Sequence, residues 1–126
     1  MPIIEEFETR QDFLSHLEKV ASPDNNINGT IVKFTAEWCA PCKTIKDYVG
    51  KLFDELPPTI QCCNLDVDDN FDLYAIMKRL KQLSGIPTIM YFKKGNVSYI
   101  PNLTVAGTIT AEIDNLFATA IKNCAN

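Results

Sequence analysis

The chain has 126 residues and a formal net charge of −4, which fits one domain and argues against a nucleic-acid partner, since phosphate contacts need clustered Lys and Arg. Its apolar fraction of 46% and charged fraction of 22% are ordinary for a globular protein, and no stretch is long and apolar enough to span a bilayer. Five cysteines is an odd number, which suits free or catalytic thiols better than a disulfide framework.

The N-terminus, Met-Pro-Ile-Ile-Glu-Glu-Phe-Glu, lacks a basic start, an apolar core and a small-residue cleavage site, so no secretory signal is expected. It is also acidic, unlike an Arg-rich presequence. The expected compartment is the cytoplasm, with mitochondria left open, and the expected state is a monomer with one domain over 1–126. The sets Lys43/Lys46/Lys51 and Lys78/Arg79/Lys81 are flanked by acids and read as solvated helix faces.

In chain order, residues 3–7 form an apolar–acidic run that reads as an edge strand. Thr9 reads as an N-cap with Asp12 in a near capping box. Phe13, Leu14, Leu17, Val20 and Ala21 follow at helical spacing, which predicts a helix over 9–21. Residues 22–29 are rich in Pro, Asp, Asn and Gly and read as a loop. Residues 30–35 are short, β-branched and mostly apolar, as a buried strand should be. Residues 40–56 carry one apolar helical face, Pro41 suits the first turn, and Pro57 and Pro58 stop the helix.

Residues 60–67 predict a second strand, and 70–83 a helix ended by Gly85. Residues 88–92 predict a third strand, 93–96 a turn, and 97–100 a strand pairing back as a hairpin. Thr110 reads as the N-cap of a last helix with Ile113, Leu116, Phe117, Ala120 and Ile121 on one face. This order favours an α/β sandwich with a mixed central sheet of four to five strands and about four helices covering both faces.

The chemistry concentrates in Thr35-Ala36-Glu37-Trp38-Cys39-Ala40-Pro41-Cys42-Lys43, a Cys-x-x-Cys where a strand turns into a helix. A thiol at a helix N-terminus faces unpaired N–H groups and the positive end of the dipole, which favour the thiolate, the reactive form. Cys42, one turn on, can attack a mixed disulfide formed by Cys39 and release a reduced substrate. The competing reading is structural zinc, which needs four ligands. The remaining candidates are Cys62, Cys63, Cys124 and His16, with no second Cys-x-x-Cys and with Cys62 and Cys63 alternating to opposite faces, so no metal is expected.

Phe34 to Lys43 resembles the active-site segment of the thioredoxin family. Gly85-Ile86-Pro87-Thr88 resembles its cis-proline loop, Phe92-Lys93-Lys94-Gly95 its hairpin turn, and Asn64-Leu65-Asp66-Val67-Asp68 the strand end between them. The resemblance covers nearly the whole chain and implies the thioredoxin fold, with Cys39 as exposed nucleophile and Cys42 as buried resolving thiol. It implies that Trp38, with Ala40 and Pro41 in the motif, borders the substrate, that Pro87 is cis and faces the dithiol, and that the Ile86 backbone pairs with an extended substrate segment. Gly107 resembles a glycine beside the dithiol that lets another backbone approach.

Two departures stand out. Ala40-Pro41 replaces the usual Gly-Pro between the cysteines. Lys33 occupies the position, six residues before the first Cys, where the family has a buried Asp, and alignment puts Cys62 in place of the Lys that faces that Asp. A charged Lys33 would stabilise both thiolates; a desolvated, neutral Lys33 could act as a base for Cys42; a snorkelling Lys33 would do neither. Cys62 reads either as a third thiol beneath the site or as an inert buried residue, Cys63 as core, Cys124 as a thiol near a fraying terminus open to intermolecular pairing, and His16 as a solvated helix residue.

The expected function is reduction of disulfides in partner proteins and a share in redox homeostasis, with no cofactor beyond the cysteine pair. Peroxiredoxin-like clients and an NADPH-dependent flavoprotein reductase are the partners the resemblance implies. The alternative is a thioredoxin-like interaction module or redox sensor with weak turnover.

Overall fold

The computed structural model describes residues 2–124. Its elements in chain order are α1 (Arg10–Ala21), β1 (Gly29–Thr35), α2 (Ala40–Asp54), β2 (Ile60–Asp66), α3 (Phe71–Arg79), β3 (Thr88–Lys93), β4 (Leu103–Ala106) and α4 (Thr110–Asn123). The sheet order is β2-β1-β3-β4; β1 runs parallel to β2 and antiparallel to β3, and β3 runs antiparallel to β4.

Strand alternation sends side chains to two separate cores. Val32, Phe34, Cys63, Leu65, Met90 and Phe92 pack with Phe13 and Leu17 of α1 and Leu73 and Met77 of α3. Ile31, Cys62, Ile89, Tyr91 and Val105 pack with Ile45, Val49 and Phe53 of α2 and Ile113, Leu116 and Phe117 of α4. On this second face the Tyr48 hydroxyl donates to the Asp114 carboxylate, tying α2 to α4. No helix among the described residues is long and apolar enough to cross a membrane.

The start of α1 follows its local sequence. The Thr9 hydroxyl accepts from the Asp12 N–H at 3.2 Å and the Asp12 carboxylate accepts from the Thr9 N–H at 3.2 Å, a complete capping box.

Several expectations are corrected. Residues 3–7 form no strand: only Ile4 bridges to Cys63, with Ile4 N–H donating to Cys62 O at 3.0 Å and Asn64 N–H to Ile4 O at 2.8 Å. The chain then leaves the sheet because the Asn70 side chain takes over its backbone, accepting from Phe7 N–H at 2.7 Å and donating to Glu5 O at 3.1 Å. Asn70 is thereby committed elsewhere and gives α3 no side-chain cap.

The helix expected over 70–83 ends at Arg79: Lys81 turns left-handed at φ 60°, and the Gln82 N–H closes the end on Met77 O at 2.9 Å. The strand expected over 97–100 is a loop. Asn96 donates to Ile100 O at 2.9 Å and to the Asn102 side chain at 2.8 Å, and Ser98 bonds to Asn96, so the segment folds on itself and pairing resumes only at Leu103. Thr110 is the first residue of α4, with Ile109 at the cap position and no side-chain cap bond.

Cys124 is packed, not frayed. It is 6% exposed, and its thiol donates to Asn28 O at 3.3 Å. A Cβ on Gly29 would lie 3.0 Å from the Tyr91 ring and 3.1 Å from the Cys124 sulfur, so glycine is what lets β1 start beneath α4. His16 is half-buried: its ring lies 5.7 Å from that of Phe7 and 6.5 Å from that of Phe13, and Nε2 is 3.0 Å from the Thr30 hydroxyl. Burial pushes the His16 pKa down, with Lys19 adding to the effect.

Candidate active site

The site forms where β1 ends and α2 begins. Cys39 is the N-cap residue of α2, and its sulfur accepts from the Cys42 N–H at 3.2 Å. A sulfur thus occupies the place where helices usually put a Ser, Thr or Asp oxygen. Cys42 follows one turn later with a Cα–Cα distance of 5.3 Å, and the two form a disulfide. Pro41 sits in the first turn, where its missing N–H removes no helical bond, and Ala40 and Pro41 are both exposed.

The Ile86–Pro87 peptide is cis. It brings the Ile86 carbonyl to 3.8 Å from the Cys39 sulfur. Pro87 is buried, Ile86 half-buried, and the Thr88 hydroxyl donates to Gly85 O at 2.7 Å, bracing the loop. The Gly107 N–H donates to Pro87 O at 2.9 Å, so the loop after β4 closes onto the same proline. Gly107 has φ +98°, but a Cβ there would meet nothing within 4 Å. The left-handed backbone is itself a reason for glycine here, and the space beside it is open.

Trp38 is 66% exposed, and its indole N–H donates to the Asp68 carboxylate at 2.9 Å. The ring is held at the rim and not in the core. The expectation of an exposed Cys39 is corrected: it is 5% exposed and Cys42 2%. In the disulfide state the Cys39 sulfur lies inward against the Ile86 carbonyl.

Behind Cys42 lies a polar cavity of about 560 Å³ that Lys33, Thr35, Lys46, Asn64 and Asp66 help to line. Lys33 is 4% exposed over the whole residue, and it lines this cavity. Burial pushes its pKa down, and the charge of Lys46 pushes it the same way. The strand register corrects the expected neighbour: Lys33 lies beside Asn64, while Cys62 lies beside Ile31. The Asn64 Oδ1 is buried with no partner.

Cys62 is therefore not beneath the dithiol. It borders a separate cavity with Phe53, Pro57, Pro58 and Ile60, and burial pushes its thiol up to about 11. Cys63, on the other face, is pushed up further by burial and by Cys62. No three His, Cys, Asp or Glu side chains cluster as a metal would need among the described residues. Sequence reasoning gave no role to Asp68 or Asn64, although both lie in the segment that carries the resemblance.

The comparisons agree with this geometry. The thioredoxin family model, described as "Thioredoxin", matches residues 7–118. A thioredoxin of Pseudomonas aeruginosa is 36% identical over 53% of this chain and 58% of its own length. A thioredoxin of Pyropia yezoensis is 30% identical over 71% of this chain and 84% of its own length. The structure of reduced Schistosoma mansoni thioredoxin pre-protein superposes with a TM-score of 0.69 at 24% identity, covering 95% of this chain and 100% of that one. The chain thus spans a little over half of the first relative and most of the second. With a Cys-capped helix, a cis-proline beside it and a family match that runs through both, the chain belongs to the thioredoxin family.

Proposed function

We propose that this protein is a dithiol–disulfide oxidoreductase that reduces disulfides in partner proteins. The observation that carries the reading is the Cys39 sulfur capping α2 within bonding reach of Cys42. In the reduced protein, the N–H groups and dipole of α2 stabilise the Cys39 thiolate. That thiolate attacks a client disulfide and one client thiol leaves. Cys42 then attacks Cys39, the second client thiol leaves, and the protein ends as the observed disulfide. The Ile86 backbone beside the cis-proline and the exposed Trp38 ring offer an extended client segment a polar edge and an apolar one.

The clients are disulfide-bearing proteins of the peroxiredoxin kind, and an NADPH-dependent flavoprotein reductase returns the pair to the dithiol. The protein acts as a monomer in the cytoplasm. The near-complete burial of Cys39 supports a second reading, an interaction module or redox sensor with weak turnover.

Insulin reduction and the reduction potential of the Cys39–Cys42 pair, set against defined thiol/disulfide buffers, test the first reading. Turnover with a reducing potential supports it. Partner binding that persists in Cys39→Ser, without turnover in the wild type, supports the second.

A further inference from the structure

The cavity behind Cys42 holds a set of groups that the thiol chemistry does not use. Lys33 is 4% exposed, lines the cavity, and forms no ion pair among the described residues. The charged groups around the same cavity are Lys43 and Lys46 on α2, Glu5 on the leading segment, Glu37 and Asp69 on the two loops, and Asp66 on β2. Of these, Lys46 is the one whose charge acts on the Lys33 amine, and with burial it favours the neutral form. The neighbour of Lys33 in register on β2 is Asn64, and the Asn64 Oδ1 is a buried acceptor with no donor. Register neighbours of a parallel pair point to the same face, and Asn64 lines the cavity too.

These neighbours define what would complete the site. The Asn64 Oδ1 calls for a hydrogen-bond donor, because an unmatched buried acceptor is a standing cost. Lys46 stands against a second amine and calls for negative charge. Lys33 itself offers an amine that its surroundings hold towards the free base, the form that attacks an electrophile. One small molecule meets all three demands at once. Carbon dioxide adds to a free amine and leaves a donor N–H and a carboxylate on the same side chain.

We propose that Lys33 is a carbon dioxide site, its amine adding CO2 to form a carbamate whose N–H donates to the Asn64 Oδ1 and whose carboxylate pairs with Lys46. The Lys33 Nζ lone pair bonds to the carbon of CO2, and one C–O π pair moves onto oxygen. The nitrogen then sheds a proton to solvent, so amine and CO2 become a carbamate and one released proton. Nothing is oxidised or reduced. The modification puts an anion into a cavity that Cys42 also lines, and a negative charge there opposes ionisation of the Cys42 thiol. Dissolved CO2 thus sets how readily the resolving thiol loses its proton. That consequence rests on the reading that Cys39 and Cys42 are a redox pair; the carbamate does not.

The test uses the whole protein in buffer containing isotopically labelled bicarbonate in equilibrium with CO2. Carbamates revert on acidification, so a trialkyloxonium reagent esterifies them in place before digestion and peptide mass spectrometry. Wild type is compared with Lys33→Arg, Lys46→Met and Asn64→Leu, with circular dichroism reporting the fold of each. The alkyl carbamate on Lys33 should exceed that on the exposed Lys51 at least about 10-fold, and a carbamate carbonyl resonance should disappear in Lys33→Arg. Lys46→Met removes the counter-charge and should lower occupancy about 10-fold; Asn64→Leu removes the acceptor and should lower it about 5-fold. Lys46 is exposed, so its variant keeps the fold and carries the test even where Asn64→Leu unfolds.

Labelling of Lys33 no stronger than that of Lys51, or occupancy unchanged in Lys46→Met, would overturn the proposal. In the reduced protein, the Cys42 titration followed by NMR should move to higher pH under CO2 in the wild type and stay fixed in Lys33→Arg. A wild-type titration that ignores CO2 severs the site from the dithiol. A protein that carries the carbamate yet reduces no disulfide keeps the site and removes the redox reading.

Discussion

The molecule holds two close pairs of cysteines, and they could hardly differ more. Cys39 and Cys42 straddle the first turn of a helix, where one sulfur already accepts an N–H and the other stands within bonding reach. Cys62 and Cys63 are adjacent in the middle of a strand, so the pleat sends them into opposite cores. Both members of the second pair are pushed towards the protonated form, Cys62 to about 11, because burial penalises the thiolate. The same residue type is a redox centre in one place and a small hydrophobe in the other. What decides is whether backbone N–H groups converge on the sulfur.

The strongest way to break this contrast is to delete one sulfur from each pair. Cys39→Ser should abolish insulin reduction, and Cys42→Ser should trap a mixed disulfide detectable by mass. Cys62→Ala should keep turnover within about 2-fold, since Cys62 faces a different cavity. Loss of activity there would erase the distinction.

A smaller effect concerns stability. Cys63→Ser buries a hydroxyl at a fully buried site and should cost about 1–3 kcal/mol in urea unfolding, with the reduction potential of Cys39–Cys42 unchanged.

Next comes pH. The folded protein holds the Cys62 proton up to about 11, whereas an unfolded thiol loses it near its ordinary value of 9.0. Its contribution is therefore complete below 9.0 and is lost as pH rises through about 11. Cys63 acts in the same direction. Unfolding midpoints measured from pH 8 upward should fall less steeply in a Cys62→Ala/Cys63→Ala double variant than in the wild type.

The smallest of these effects is at Gly107. An alanine there meets no atom but must adopt φ +98°, so Gly107→Ala should cost about 1 kcal/mol, read by thermal unfolding.

Features built from neighbours in sequence were legible before the structure. The Thr9–Asp12 capping box, the two apolar faces of β1 and the Cys39–Cys42 turn each depend on spacing within a few residues. Features set by pairing between distant segments were not. Cys62 and Asn64 are two residues apart and share a face of β2, so alternation alone could not say which of them meets Lys33; only the register could. The segment 97–100 has strand-like composition, yet Asn96 and Ser98 satisfy its backbone locally and displace β4 to Leu103. Cys124 looked terminal and therefore loose, but Tyr91 and Gly29 make room for it under α4. His16 looked solvated because Phe7 and Thr30, two of its three partners, lie outside its own helix.

One amide has a reach that its size conceals. Besides holding Phe7 and Glu5, Asn70 donates to Asp66 O at 2.9 Å, and Asp66 and Glu5 stand in the wall behind Cys42. The leading segment, the end of β2 and the start of α3 are therefore mechanically one joint. Tension applied along residues 4–7 would be transmitted through the Ile4 bridge to β2 and through this carboxamide to the back of the redox centre.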